Sequence, residues 1–467
     1  MRNKILFFVP DGVGVRNYLY SDLLKYIHKE ADIILWSPLK EEAFKDIRDI
    51  HDIQFEYHYK KLHLEQTKTR ILRESVSFAR LLHNSKIVKN ETILVNWKSK
   101  PKSTKLRILK QVAQRIGKVA ANNYNNILKL EKLAHKTWSK STIESYKKDL
   151  IQAGVSAIFI THQRLAASIP LCIAAKQLGI TVISVIYSWD NLPKARLEII
   201  ADKYIVWSDY MKEEIKTYYP EIDQNNVLVA GTPQFEFYFD KTKIIDRNEF
   251  AAKYGFDPKK KWICYSGDDK LTSPNDQYFL EDIAEEISNS DLKNDVQILF
   301  RRCPIDFSDR YDNAFNKYKD LIISVDPLWH NRDNGWSSGF FPKYGDVSLL
   351  VNVAHHCEFV INLGSTMAHD FAIYNKPCLY LNYDKPYNPH WTVKRVYKFQ
   401  HFRTMNGLNA VGWLNSKEEI KDKIKLFLDT PDNVAPDRLK WLEVVIQHPL
   451  ETSSRRIADI CIQSVKG

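Results

Sequence analysis

Short, wholly apolar runs closed off by turn residues recur along this sequence, with longer helix-patterned segments between them. Runs this continuously apolar belong to strands buried on both faces, which happens when helices cover both sides of a parallel sheet. The first set comprises Lys4–Val9, Asp32–Trp36, Ile53–Tyr57, Ala157–Thr161, Thr181–Ile186, Lys203–Trp207 and Val227–Ala230. Helical patterns at Asp22–Glu30, Ala166–Leu178 and Tyr210–Tyr218 fall between them. A polar passage from Phe239 to Lys261 interrupts the alternation, which restarts with Trp262–Ser266, Gln297–Phe300, Leu321–Val325, Phe359–Asn362 and Cys378–Leu381. Helical patterns at Tyr278–Ser288, Val347–Cys357, Met367–Tyr374 and Lys417–Leu428 accompany this second set. The expectation is an α/β chain with two Rossmann-like, doubly wound parallel-sheet domains, residues 1–238 and 239–445. A terminal helix, 446–467, is expected to cross back to the first domain. Two such domains place ligands in a central cleft, facing the carboxyl ends of their strands.

Composition narrows the function classes. With 467 residues and 44% hydrophobic content the chain has ample material for two cores, and 12% aromatics argue against disorder. The six cysteines form no CxxC pair, so they read as buried thiols of a reducing compartment. The apolar run Ile5–Val9 stops at Pro10-Asp11-Gly12 and reads as a strand, not a signal segment, and no uncharged stretch is long enough to span a bilayer. A cytoplasmic location is expected.

Lys and Arg number 68 against 57 Asp and Glu, a net charge of +11, which favours anionic partners. The excess is concentrated. Thr92–Leu130 has no Asp or Glu but carries Lys98, Lys100, Lys102, Lys105, Arg107, Lys110, Arg115, Lys118 and Lys129. On a helical wheel Leu109, Val112, Ala113, Ile116 and Ala120 share one face and Arg107, Lys110, Arg115 and Lys118 the other. Such a helix is either a solvated helix packed by its apolar face or a contact for an anionic membrane surface, through segment 98–118, at the inner face of the cytoplasmic membrane. Nucleic acid is not expected as a partner.

Several motifs carry chemistry at strand ends. Gly364-Ser365-Thr366 follows the apolar run Phe359–Leu363 and opens the next helical pattern, a corner where backbone N–H groups and hydroxyls can meet a phosphate. Ser365 can instead simply cap that helix. Gly267, after the first strand of the second domain, allows close approach of a donor. In the first domain, Asp11, Gly12, Gly14 and Arg16 follow the first strand, His162 follows Ala157–Thr161, and Trp189-Asp190-Asn191 follows Thr181–Ile186. Asp190, Asp11 and His162 are each candidates for the base that takes a proton from an acceptor hydroxyl. Gly12, Gly14, Arg16, Trp189 and Asn191 are the candidate acceptor contacts. Asp190 can alternatively serve only to hold its loop.

The Gly364–Thr366 corner, followed by Asp370 and then Lys376-Pro377, resembles the nucleotide-sugar half of glycosyltransferases with the GT-B architecture. In several such families an acidic residue seven positions before the proline holds the ribose, and Asp370 has that spacing from Pro377. The resemblance implies ribose contact by Asp370 and phosphate contact by Gly364, Ser365 and Thr366. Arg301-Arg302-Cys303-Pro304 is similar to the Arg-x-His-Pro element of CDP-glycerol glycerophosphotransferases, where Arg301 and Arg302 would neutralise a diphosphate leaving group. Cys303 stands in place of their histidine, and Asp190 in place of the histidine of their Trp-His-Gly loop. A Trp-Asp-Asn loop is frequent in bacterial polysaccharide-assembly glycosyltransferases.

The implied function is transfer of a sugar from a nucleotide-sugar donor to a hydroxyl of a lipid-linked bacterial surface glycan, such as capsule, O-antigen or lipopolysaccharide. The paired-glutamate segment of the large retaining family and the His-Cys-Gly-Trp signature of plant-type glucosyltransferases are both missing, which points to an inverting reaction without a metal or separate cofactor. A CDP-glycerol-type polyol-phosphate transferase, a sugar-nucleotide 2-epimerase and a non-catalytic scaffold remain the alternatives.

Overall fold

A computed structural model describes residues 2–97, 103–330, 340–388 and 390–466. Lys98, Lys100 and Lys102, and most of the aromatic run from Trp329 to Phe341, lie outside the described residues. The chain forms two compact units. The first comprises Met1–Pro233, Phe399–Arg403 and Val445–Gly467, the second Gln234–Lys398 and Thr404–Val444.

The first unit is built on seven strands: β1 (Lys4–Phe8), β2 (Asp32–Ser37), β3 (Glu56–Tyr59), β4 (Ala157–Ile160), β5 (Thr181–Val185), β6 (Lys203–Val206) and β7 (Val227–Val229). All pair in parallel, in the order β3-β2-β1-β4-β5-β6-β7. Ile5, Leu6, Phe7 and Phe8 are fully buried, as a central strand covered on both faces requires. Leu6, Phe8, Ile158 and Ile160 pack with Leu150, Leu171 and Ala175 from covering helices. Chain order reverses between β1 and β4, and Phe8 lies opposite Ile160, so the loops leaving these two strands emerge side by side.

The second unit repeats the plan with β8 (Lys261–Ser266), β9 (Val296–Arg301), β10 (Ile322–Ser324), β11 (Phe359–Asn362), β12 (Cys378–Leu381) and β13 (Gly412–Leu414), ordered β10-β9-β8-β11-β12-β13 and all parallel. Its reversal falls between β8 and β11, with Tyr265 opposite Ile361.

One departure from the expected elements has a physical cause. The 21-residue helix Thr67–Ile87 escapes periodicity because Thr69, Ser75, Ser77, Arg80 and Asn84 are buried on its inner face and interrupt the apolar stripe. Within the terminal segment 446–467 the α-helix is Ser453–Lys466, preceded by the separate helix Arg438–Val445. Ser453–Lys466 packs on the first unit, where the Arg456 guanidinium donates to the Ala230 carbonyl at 3.0 Å. Among the described residues no helix is long and apolar enough to cross a membrane.

Candidate functional site

Open parallel sheets bind ligands outside the carboxyl ends of their strands, at the point where strand order reverses. In the first unit, the β1 loop delivers Asp11 there and the β4 loop His162, and His162 Nδ1 lies 2.8 Å from Asp11 Oδ2. Asp11 also caps the short helix that begins at Gly12, accepting from the Gly14 amide at 3.0 Å through its other oxygen. Its carboxylate is thereby held through Oδ1, while Oδ2, facing His162, is buried and accepts no hydrogen bond. The His162 ring stacks on Tyr187, two positions beyond β5, with centroids 4.4 Å apart and planes 29° apart. Both side chains of the pair keep some exposure, 20% for His162 and 13% for Asp11, so solutes can reach them.

This arrangement sets a histidine beside a carboxylate. The 2.8 Å approach is a close charge contact and not an aligned hydrogen bond, because Asp11 Oδ2 accepts none; a rotation of the imidazole that aims an Nδ1 proton at Asp11 would leave Nε2 as the acceptor a general base needs. Sequence reading offered Asp11 and His162 as rivals; the fold joins them in one pair. Tyr187 was missed, although its place just after an apolar strand is the available signal.

Gly14 and Arg16 sit on the same turn. A Cβ on Gly14 would come within 2.5 Å of Thr161 Oγ1 and 3.1 Å of Val9, so this glycine lets the helix lie against β1 and β4. Gly12 is buried at the helix start. The Arg16 Nε donates to Asn17 Oδ1 at 3.0 Å.

The third candidate base stands differently. Asp190 receives the ammonium of Lys194 and, at 2.7 Å, the amide of Asn191. Burial alone would raise its pKa, but Lys194, His401 and the hydrogen bonds outweigh it and hold the carboxyl below the usual range. A carboxylate so stabilised is a weak base. Nearby Glu214 is pushed well up by burial and by the Asp190 charge. Trp189 and Asn191 are 4% and 3% exposed. Trp189 packs edge-on against His401 at 4.6 Å, and Asn191 accepts from Gln163 Nε2 at 3.1 Å. Gln163 Oε1 in turn accepts the Tyr187 amide at 2.9 Å, tying the His162 loop to the Trp-Asp-Asn loop.

In the second unit the reversal point lies between Gly267-Asp268 after β8 and Gly364-Ser365-Thr366 after β11. Gly364 has φ +76°, a left-handed turn that glycine adopts without strain. The Ser365 amide donates to Asn362 Oδ1 at 2.9 Å, and all three residues of the turn are half-buried. Asp268 adjoins the backbone of Leu363, and burial, Asp276 and Asp269 push its carboxyl well above the usual range. Asp276 anchors the β8 loop, accepting from Tyr311 at 2.6 Å, Ser273 at 3.0 Å and the Asp268 amide at 3.2 Å. Gly267 leaves room for Tyr311, whose hydroxyl a Cβ would meet at 3.0 Å.

The remaining donor-side candidates are engaged within this unit. Arg301 is 5% exposed and pairs with fully buried Asp346 at 2.9 Å; Asp346 also accepts from the Leu328 amide and the Trp329 indole. Arg302 donates to the Ser308 carbonyl at 2.6 Å and keeps a looser 3.6 Å contact with Asp326. Asp370, 8% exposed, accepts from the Tyr238 hydroxyl at 2.6 Å. The partners Asp346 and Tyr238 lie 45 and 132 positions away in sequence, a separation that no local motif reveals.

No protein-family profile matches this sequence, and no curated protein sequence does. Solved structures match it in fold along its whole length. The S. aureus MnaA-UDP co-structure covers 100% of this chain and 97% of its own at 12% identity and TM-score 0.54. The chain has a GT-B-like fold. A glycosyltransferase from Rickettsia africae ESF-5 covers 100% and 99%, at 11% identity and TM-score 0.53. The UDP-GlcNAc 2-epimerase from Neisseria meningitidis bound to UDP-GlcNAc covers 98% and 100%, at 10% identity and TM-score 0.50.

Proposed function

We propose that this protein is a glycosyltransferase that moves a sugar from a nucleotide-sugar donor to a hydroxyl of a bacterial surface glycan. The reading rests above all on the Asp11–His162 pair at the strand-order reversal of the first unit. His162 Nε2 takes the acceptor proton, the acceptor oxygen attacks the anomeric carbon, and the nucleoside diphosphate leaves with the bonding electrons. Asp11 holds the imidazole and stabilises the imidazolium that forms. The acceptor is a capsule, O-antigen or lipopolysaccharide precursor on a lipid carrier. Transfer inverts the anomeric centre and needs no metal. On the donor side the Gly364–Thr366 turn and Arg302 face the diphosphate, and Asp370 exchanges its Tyr238 partner for a ribose hydroxyl. Fold likeness to proteins solved with UDP and with UDP-GlcNAc supports a nucleotide-sugar donor.

The whole-chain likeness to a UDP-GlcNAc 2-epimerase favours a second reading, in which donor turnover needs no acceptor. Incubating the purified protein with UDP-, GDP- and CDP-linked sugars, with and without a lipid-linked glycan fraction, separates the two. Transfer requires nucleotide release only with acceptor; release or sugar isomerisation without acceptor supports the epimerase. Full turnover in His162→Ala would remove the basis of the proposal.

A further inference from the structure

Between β3 and β4 the chain inserts long helices, among them Thr67–Ile87, Thr104–Ala120 and Tyr124–Lys136. Thr104–Ala120 packs on its neighbours through Leu109, Ala113, Gly117 and Ala120. Its wheel does not split into one apolar and one basic face as sequence alone suggests. Lys110 turns inward, its ammonium on the Trp97 carbonyl and 5.0 Å from the Trp97 ring centroid. A second apolar stripe faces solvent instead: Ile108 is 55% exposed, Val112 36% and Val119 69%, one helical edge by their spacing. The next helix adds Leu133, 48% exposed. Ile116, Val119, Ala120, Leu130, Leu133 and the stem of Lys129 line an apolar depression of about 480 Å³ between the two helices.

Cations ring this patch. Lys105, Arg107, Arg115, Lys118, Lys129 and Lys132 are exposed, and no carboxylate occurs from Thr92 to Leu130. The adjacent Glu131 is held by Arg80 at 2.8 Å. An exposed apolar stripe inside a purely basic rim matches a surface that is anionic outside and apolar just beneath. A second copy of the chain would set two basic rims against each other, and a nucleic acid would leave the stripe in water.

We propose that this face docks on an anionic lipid bilayer. Ile108, Val112, Val119 and Leu133 enter the acyl boundary while Arg115, Lys118, Lys129 and Lys132 meet the headgroups. The inference is independent of the reaction catalysed. Sedimentation of the full chain with vesicles of phosphatidylcholine alone, and of phosphatidylcholine mixed with phosphatidylglycerol, tests it. Binding is expected to the mixed vesicles only and to weaken with salt. The triple substitution Arg115→Gln, Lys118→Gln, Lys129→Gln should lower the partition coefficient by about 100-fold. Val119→Ser with Leu133→Ser should lower it by about tenfold. Unchanged thermal unfolding of these exposed-site variants confirms an intact fold. Absence of binding, equal binding to neutral vesicles, or retained binding by the triple variant would overturn the proposal. So would a dimer on gel filtration that Leu133→Ser abolishes, or duplex DNA binding that the triple variant loses while vesicle binding is unaffected.

Discussion

The imidazole of His162 stands 2.8 Å from the carboxylate of Asp11, although 151 positions separate the two in sequence, 162 less 11. Each residue leaves the end of a central strand, and parallel pairing of β1 with β4 makes them neighbours. Replacing His162 with Ala is expected to lower kcat by about 10²- to 10⁴-fold, with nucleotide binding kept. Asp11→Asn preserves the helix cap, because asparagine also accepts from the Gly14 amide. It should therefore lose rate and not stability. Steady-state kinetics alongside thermal unfolding checks both.

The pair Arg301–Asp346 should govern stability rather than donor affinity. Removing one partner of a buried ion pair leaves an uncompensated charge, so Asp346→Ala is expected to cost about 3–5 kcal/mol in denaturant unfolding. Arg302→Gln removes a largely buried guanidinium from the Ser308 carbonyl and from over the Tyr311 ring, so it should cost about 1–3 kcal/mol of stability and also weaken nucleotide binding.

Gly14→Ala places a methyl group against Thr161 Oγ1 and should destabilise the first unit by about 1–3 kcal/mol. Thr161→Ala in the same chain removes the nearest clashing atom and is expected to restore part of the loss. Urea unfolding of the single and double variants gives the coupling.

A nucleotide bound only by the folded chain raises Tm with its concentration, by about 2.7 kcal/mol of stabilisation at 100 times Kd. Thermal unfolding in UDP, GDP, CDP and CMP should single out one base. Asp370→Ala is expected to abolish that shift. Tyr238→Phe, which removes one donor to the carboxylate and keeps the carboxylate itself, should leave the shift intact or strengthen it. No shift with any of the four would refute the donor site.

His356 is buried beside Arg247 and His355, its Nε2 on the Ile245 carbonyl at 3.0 Å. Burial is the main cause that lowers its pKa to about 4 from 6.5. The unfolded chain then binds the extra proton first as pH falls, so the folded state loses stability between pH 6.5 and about pH 4. A His356→Gln variant, able to keep a donor on Ile245, should show a flatter Tm against pH across that window.

The sequence by itself determined the fold class and most of its strands, because a strand buried on both faces must be apolar at every position, and Ile5–Phe8 or Phe359–Ile361 cannot be otherwise. It also placed Asp11, His162, Asp190 and Gly364 at strand ends, where parallel sheets take ligands. Tertiary structure decided their contacts. Asp190 is neutralised by Lys194, Arg301 by Asp346 and Asp370 is capped by Tyr238, whereas Asp11 and His162 become one unit. It also turned Lys110 inward and left Val119 and Leu133 in solvent. Such outcomes depend on which distant side chain arrives within about 3 Å, where hydrogen bonds and charge pairing act, and sequence periodicity does not carry that information.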